Sequence, residues 1–300
     1  MIARAFLFAT SLFLLYNIAL LIHPLRKYFG AQSGWQENVI KAQEYLWANP
    51  PKMGAIVGSS LAARLAPTTL ETDFDNLSFS ADGPLTGLEI IRRKAIRPRL
   101  VLIETNMLLR ERNENVIDCA FRPVLSDLRP LALGLRERYQ PANFIAGAVG
   151  AKLVDWSLGA GRHIYPRSHV GAPSSTDKTK VIRDKVMTCA KAENEIIPER
   201  AQIERQIDRM KRCVADLEER GARCAFVEMP IDASLAELAQ PSLIRSRMLE
   251  AFPESKYIWV RPEKNRQYVT LDGMHLPVAE ADAYALRIRA QLAQHGLLDH

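Results

Sequence analysis

Cysteine is scarce in this chain, with four among 300 residues, and no two of them form a C-x-x-C pair. That spacing argues against a cysteine-built zinc centre or a dithiol redox motif. Aromatic residues make up 7% and charged residues 25% of a chain that is 48% hydrophobic, which excludes a disordered or low-complexity polymer. Long apolar runs are missing beyond the first two dozen residues, so a polytopic membrane protein is excluded too. The net charge of +6 comes without the dense basic stripe of a nucleic-acid binder, and no nucleic-acid partner is expected. His163 and His169 lack metal-ligand spacing, and Gly159-Ala160-Gly161 lacks the rest of a dinucleotide or phosphate-loop fingerprint. There is no internal repeat. The length suits one or two domains with a substantial core.

One apolar run is present. Residues 5–22 read AFLFATSLFLLYNIALLI, without a charge, and only Thr10, Ser11 and Asn17 are mildly polar. At 1.5 Å per residue such a helix just crosses a hydrocarbon core of about 30 Å. The alternatives are a cleaved signal peptide and a buried core helix. The run exceeds a usual signal h-region, and its exit at Leu20-Leu21-Ile22-His23-Pro24 offers no small-x-small cleavage site, which favours an uncleaved anchor. Arg4 and the amino terminus nearly balance Arg26 and Lys27, so charge does not orient it. The expectation is a single-pass protein of the cytoplasmic membrane with its body on the extracytoplasmic side, the common arrangement for a lone N-terminal span.

Beyond a helix-like connector the chain alternates short apolar strands with helices. Strands are expected at residues 53–57, 74–79, 100–103, 224–227 and 257–260, and helices at 84–96, 203–217 and about 277–295. Pro84 suits the first turn of its helix, and Gly221 stops the helix before the fourth strand. Continuous apolar strands separated by helices imply an α/β fold with a parallel five-stranded sheet covered on both faces. Residues 113–196 break the rhythm and read as an insertion, either a cap over the strand ends or a satellite helical pair. The expected division is an anchor and tether over 1–30, the α/β domain over 31–112 and 197–300, and the insertion between. Cys119 and Cys189 sit in loop-like stretches and could staple that insertion. Cys213 and Cys224 fit a disulfide or simple core packing equally well.

Ligands of open parallel sheets bind beyond the carboxyl ends of the strands, so what each strand delivers there matters. The first ends in Gly58-Ser59-Ser60, the second leads to Ser80-Ala81-Asp82-Gly83, the third ends in Glu104-Thr105-Asn106, and Asp272-Gly273-Met274-His275 precedes the last helix. Ser60 as nucleophile, His275 as its base and Asp272 to orient the ring supply what acyl transfer requires. The Ser60 and Ala81 backbone N–H groups and the Asn106 amide are candidate oxyanion donors. Each element alone is weak: G-S-S is more often a tight turn, D-x-x-H can be a cap, and Asn after a strand is a common turn residue. Four in order, each at a strand end, carry the argument. Such chemistry calls for no metal and no cofactor.

These residues resemble the SGNH, or GDSL-like, hydrolase superfamily. Its nucleophile block falls on Gly58-Ser59-Ser60, its oxyanion glycine on Ala81, its asparagine block on Glu104-Thr105-Asn106-Met107, and its Asp-x-x-His block on Asp272 and His275. Departures are Ser59 for the usual Asp, Ala81 for Gly, and Glu104 and Met107 for Gly and Asp. The resemblance covers about residues 53–110 and 222–294 and implies a three-layer α/β/α, flavodoxin-like fold. With an N-terminal anchor, it is most similar to membrane-tethered members that O-acylate envelope polysaccharides, often beside a membrane-bound O-acyltransferase that delivers the acyl group. The implied function is an O-acyltransferase, transferring acetyl, with a polysaccharide acceptor. An ester hydrolase with the same triad is the alternative, and a non-catalytic SGNH-like scaffold is the second.

Overall fold

A computed structural model of the protein describes residues 1–22, 29, 31, 33–48, 50–70, 74–145 and 177–298, with the backbone alone for 177–182. The Gly/Ala-rich piece after residue 145, Gly159-Ala160-Gly161, His163 and His169 lie outside the described residues. In chain order the elements are α1 (Ile2–Leu21), α2 (Gly34–Leu46), β1 (Gly54–Gly58), β2 (Phe74–Ser78), α3 (Pro84–Arg93), β3 (Leu100–Glu104), α4 (Glu114–Ala120) and α5 (Leu125–Leu128). Then come α6 (Asp177–Glu195), α7 (Arg200–Glu219), β4 (Arg223–Val227), α8 (Ala233–Ala236), α9 (Ala239–Ala251), β5 (Ile258–Val260) and α10 (Val278–Gln294). Every strand expected from the sequence is present to within one residue at either end. Helix α3 stops at Arg93 rather than Ile96, because Lys94 turns extended (φ −73°, ψ 139°).

The chain forms two compact units, Met1–Trp47 with Asn115–Ser168, and Ala48–Glu114 with His169–His300. The boundaries differ from those expected at two places. Helix α2, expected in the α/β domain, falls in one unit with α1, α4 and α5, and α6, expected in the insertion, falls in the unit that holds the sheet. The reason for the first is a buried polar network. Gln36 Nε2 donates to Glu137 Oε1 (2.9 Å) and Asn143 Oδ1 (3.0 Å), and the Glu137 backbone N–H donates to Gln43 Oε1 (2.7 Å). A buried side-chain amide left without such partners would cost about 1–3 kcal/mol, so the network ties these distant segments together.

In that first unit α1 is long and apolar enough to cross a membrane. Its side chains from Ile2 to Leu15 are exposed, whereas Leu20 is buried. Asn17, a polar member of the apolar run, accepts from the Gly134 backbone N–H (2.9 Å), and the Tyr16 hydroxyl donates to the Tyr139 carbonyl. The last turn of the span is therefore docked on protein, and the earlier turns present the apolar surface a membrane span needs.

The second unit holds one all-parallel sheet in the order β2-β1-β3-β4-β5. β1 and β3 are buried along their whole length, as strands covered on both faces are, and their sequences are apolar apart from Glu104 at the end of β3. Ile56, Leu102, Ala225 and Val227 pack with Tyr284, Ala285 and Ile288 of α10 in one core cluster. Helix α3 packs on β1, and α7 on α3 and β4. The chain order reverses between β1 and β3, and in such sheets that switch point opens a crevice at the strand ends. The four cysteines are free thiols. Cys119 and Cys189 lie on helices, α4 and α6, rather than in the expected loops. Cys213 and Cys224 are core side chains, and burial pushes their thiols up to about 11 and about 12.

Candidate active site

β1 ends at Gly58, and the chain turns at once through Ser59 and Ser60 into a 3₁₀ turn at Ala62–Arg64. The carboxyl of Glu104, buried at the end of β3, holds this turn. It accepts from the Ser59 backbone N–H (2.6 Å), from the Ser59 hydroxyl (2.8 Å) and, at 3.4 Å, from the Ala62 N–H. Burial pushes the Glu104 carboxyl up, against the downward pull of those hydrogen bonds. Gly58 is obligatory here, because a Cβ would come within 2.7 Å of Glu104 Cβ and 2.8 Å of Ala62 Cβ. From the other side Asn76 of β2 donates to the carbonyls of Ala62 and Leu65, both at 2.9 Å. The serine that follows Ser59 is thus fixed by side chains of two neighbouring strands.

The second loop is closed by the Leu271 N–H donating to the His275 carbonyl (2.8 Å), with Gly273 at φ +91°, a left-handed conformation suited to glycine. Asp272 divides its two oxygens. Oδ1 accepts from the backbone N–H groups of Met274 (3.1 Å) and His275 (2.8 Å), building the turn. Oδ2 lies 2.7 Å from His275 Nδ1, and His275 Nε2 lies 2.9 Å from Ser60 Oγ. Partial burial pushes the Asp272 carboxyl up, but the side-chain and backbone hydrogen bonds of His275 outweigh it and hold it well below the usual carboxylate range. An ionised Asp272 fixes the proton on Nδ1, which leaves Nε2 as the acceptor facing the serine hydroxyl. Ser60, His275 and Asp272 therefore form one hydrogen-bonded chain, with the His275 and Asp272 side chains 25% and 31% exposed, open to an incoming molecule.

No protein-family model matches the chain. No curated protein matches its sequence. The site therefore rests on its own geometry.

Ala81 and Asn106 follow β2 and β3, the strands on either side of β1, so both candidates stand at the same strand-end rim as Ser60. The Phe79 N–H donates to the Gly58 carbonyl (3.0 Å) and ties the loop after β2 to the serine turn. Among the described residues neither the Ser60 nor the Ala81 N–H donates to a protein acceptor, as an oxyanion site requires. Asn106 is half committed. Its Nδ2 donates to the Met229 carbonyl (2.9 Å) and its Oδ1 accepts from the Met229 N–H (2.7 Å), leaving one amide hydrogen for a ligand. This pairing locks the asparagine between the ends of β3 and β4.

Ala81 adopts φ +65°, a conformation that costs a residue with a Cβ about 1–2 kcal/mol. Ala81→Gly is accordingly expected to stabilise the fold by about 0.5–1 kcal/mol after the greater entropy of the unfolded glycine is subtracted. Urea denaturation reads this as a raised midpoint at unchanged slope.

Sequence reasoning missed three contributors. Glu104 was legible as one ionisable residue at the end of an otherwise apolar buried strand. Asn76 is a polar member of β2, and nothing in its local sequence marks it as a clamp on the serine turn. Met187 of α6 lies against Gly273, so α6 packs on the histidine loop, and no local signal marks this. Among the described residues no group of three or more His, Cys, Asp and Glu side chains could hold a metal ion.

Proposed function

We propose that the protein is an SGNH-type serine acyltransferase, anchored to the cytoplasmic membrane by α1, that O-acetylates an extracytoplasmic polysaccharide. The observation that carries this reading is the Ser60–His275–Asp272 chain, with contacts of 2.9 and 2.7 Å. In the first half-reaction His275 Nε2 takes the Ser60 proton as Oγ attacks the acyl carbon. The Ser60–acyl ester bond forms, the bond to the donor's leaving group breaks, and His275 returns the proton to that group. In the second, a sugar hydroxyl gives its proton to Nε2 and attacks the ester. The acyl–Oγ bond breaks and Ser60 recovers its proton. The Ser60 and Ala81 N–H groups and the remaining Asn106 hydrogen stabilise the oxyanion in both.

The departures from the family pattern at Ser59 and Glu104 support the resemblance once taken together. The pattern places a carboxylate before the nucleophile and a glycine at the end of the third strand. Here a serine stands before the nucleophile and the carboxylate stands at the end of the third strand, and the hydrogen bonds between the two join the same turn. A half-buried site that solvent reaches suits a polymer that cannot enter a closed pocket. A membrane-bound O-acyltransferase is the proposed acyl source. Whether the acceptor is sugar or water is decided by product mass. Incubating the full chain with an acetyl-ester donor and an oligosaccharide should yield acetylated oligosaccharide in excess over free acetate. Acetate alone, at every oligosaccharide concentration, would make the protein an esterase instead.

A further inference from the structure

Two arginines at the end of α3 are tied to a buried carboxylate. Arg92 and Arg93 converge on Glu89, whose side chain is 2% exposed: Arg92 by two hydrogen bonds (2.9 and 2.8 Å) and Arg93 by one (2.6 Å). Arg112, from the loop after β3, approaches the same carboxyl at 3.4 Å. Three guanidinium groups thus share one buried carboxylate, which fixes their positions and leaves a surplus of positive charge. Across from them Arg209 and Arg212 project from α7. The four side chains of Arg92, Arg112, Arg209 and Arg212 wall a cavity of about 350 Å³ floored by Glu89 and Cys213. Exposed acids temper the charge, since Glu114 pairs with Arg112 and Glu111 with Arg209. Both are more than half exposed, so a desolvated anion between the guanidinium groups can displace them at small cost. Arg212 has no carboxylate partner among the described residues.

The cavity is joined to the candidate active site by rigid structure. The loop from Asn106 to Asn113 runs from an oxyanion candidate to the cavity wall. Asn113 donates from its side chain to Asp82 (3.0 Å) and from its backbone to Thr86 Oγ1 (3.0 Å), fastening that loop to the start of α3. Glu89 lies six residues beyond Gly83, the N-cap of α3, or about 9 Å along the helix. The cavity and the candidate site are thus carried on the same two segments, the loop after β3 and the start of α3.

We propose that this arginine-walled cavity is an anion subsite for the acceptor, so that the polysaccharide modified at Ser60 is an acidic one bearing carboxylate groups. The inference rests on the acyl-transfer reading and names its acceptor class. Planar guanidinium forks grip carboxylates by paired, charge-assisted hydrogen bonds, which neutral sugars do not offer. The test is calorimetric binding of a galacturonic acid hexamer and a neutral glucose hexamer to the full chain in neutral detergent. The wild type should bind the acidic hexamer in preference, with affinity falling as salt is raised. The double variant Arg209→Gln, Arg212→Gln should bind it at least tenfold more weakly while keeping the wild-type unfolding midpoint. Equal binding of the two hexamers, or an unweakened double variant, would overturn the proposal. So would a double variant that loses only phosphatidylglycerol-vesicle binding and keeps the hexamer, because the ligand would then be a lipid headgroup. Binding is measured without turnover, so failure of the anion subsite is distinguishable from failure of acyl transfer at Ser60.

Discussion

Replacing His275 with alanine is expected to lower turnover of a small acetyl ester by about five to six orders of magnitude. The ring is the sole group within hydrogen-bond reach of the Ser60 hydroxyl among the described residues, and nothing else there can take its proton. Asp272→Asn is the more discriminating change. An asparagine oxygen in place of Oδ1 can still accept from the Met274 and His275 N–H groups, so the turn survives. Its amide nitrogen would then face Nδ1 and donate to it, which moves the ring proton to Nε2. A protonated Nε2 cannot accept from Ser60. Turnover should fall about 10⁴-fold through kcat, with KM and the unfolding midpoint little changed. A loss below tenfold would show that the ring is oriented by something other than Asp272.

The second large effect concerns Glu104. Glu104→Ala removes the acceptor of the Ser59 N–H and hydroxyl and leaves a cavity beneath the serine turn, a combined cost of about 2–5 kcal/mol in urea denaturation. Released from that grip, Ser60 should drift from His275, and kcat should fall about 10- to 100-fold. Glu104→Gln tests whether Glu104 acts by positioning. An amide oxygen can accept from the same N–H groups while the amide nitrogen donates to Ser59 Oγ. Turnover should then return to within about threefold of wild type.

The pH dependence separates the two forms as well. Burial raises the folded-state pKa of Glu104 above the unfolded value. Its contribution is therefore whole at pH below the ordinary carboxyl range. It is lost as pH rises, because the unfolded chain gives up its proton first. The Gln variant lacks this loss. Its stability relative to wild type should grow as pH is raised through and above that range, and it should show no such gain in acid.

Much of the sheet was legible because a buried parallel strand needs an unbroken apolar run, and β1, β3 and β4 supply one in plain view. The triad was legible for a related reason: parallel strands deliver their following residues to one rim, so Ser60 and His275, 215 positions apart, could be placed together from order alone. The division into units was not, because it depends on polar contacts at long range. Gln36 and Gln43 look like surface residues of an amphipathic connector until Glu137 and Asn143 are seen to need them. Ala81 looked like a weakened oxyanion position. It keeps the left-handed backbone that a glycine would take, at a cost in stability rather than in geometry. Nothing in the sequence marks Arg92 and Arg93 as anchored, because their partner Glu89 is one turn back on the same helix and gives no sign of being buried.

The most direct test is covalent. The full chain treated with a fluorophosphonate and digested should carry the adduct on the peptide containing Ser60, with the label lost in Ser60→Ala and slowed by orders of magnitude in His275→Ala. An adduct on a different serine, or labelling that persists unchanged in Ser60→Ala, would contradict the account.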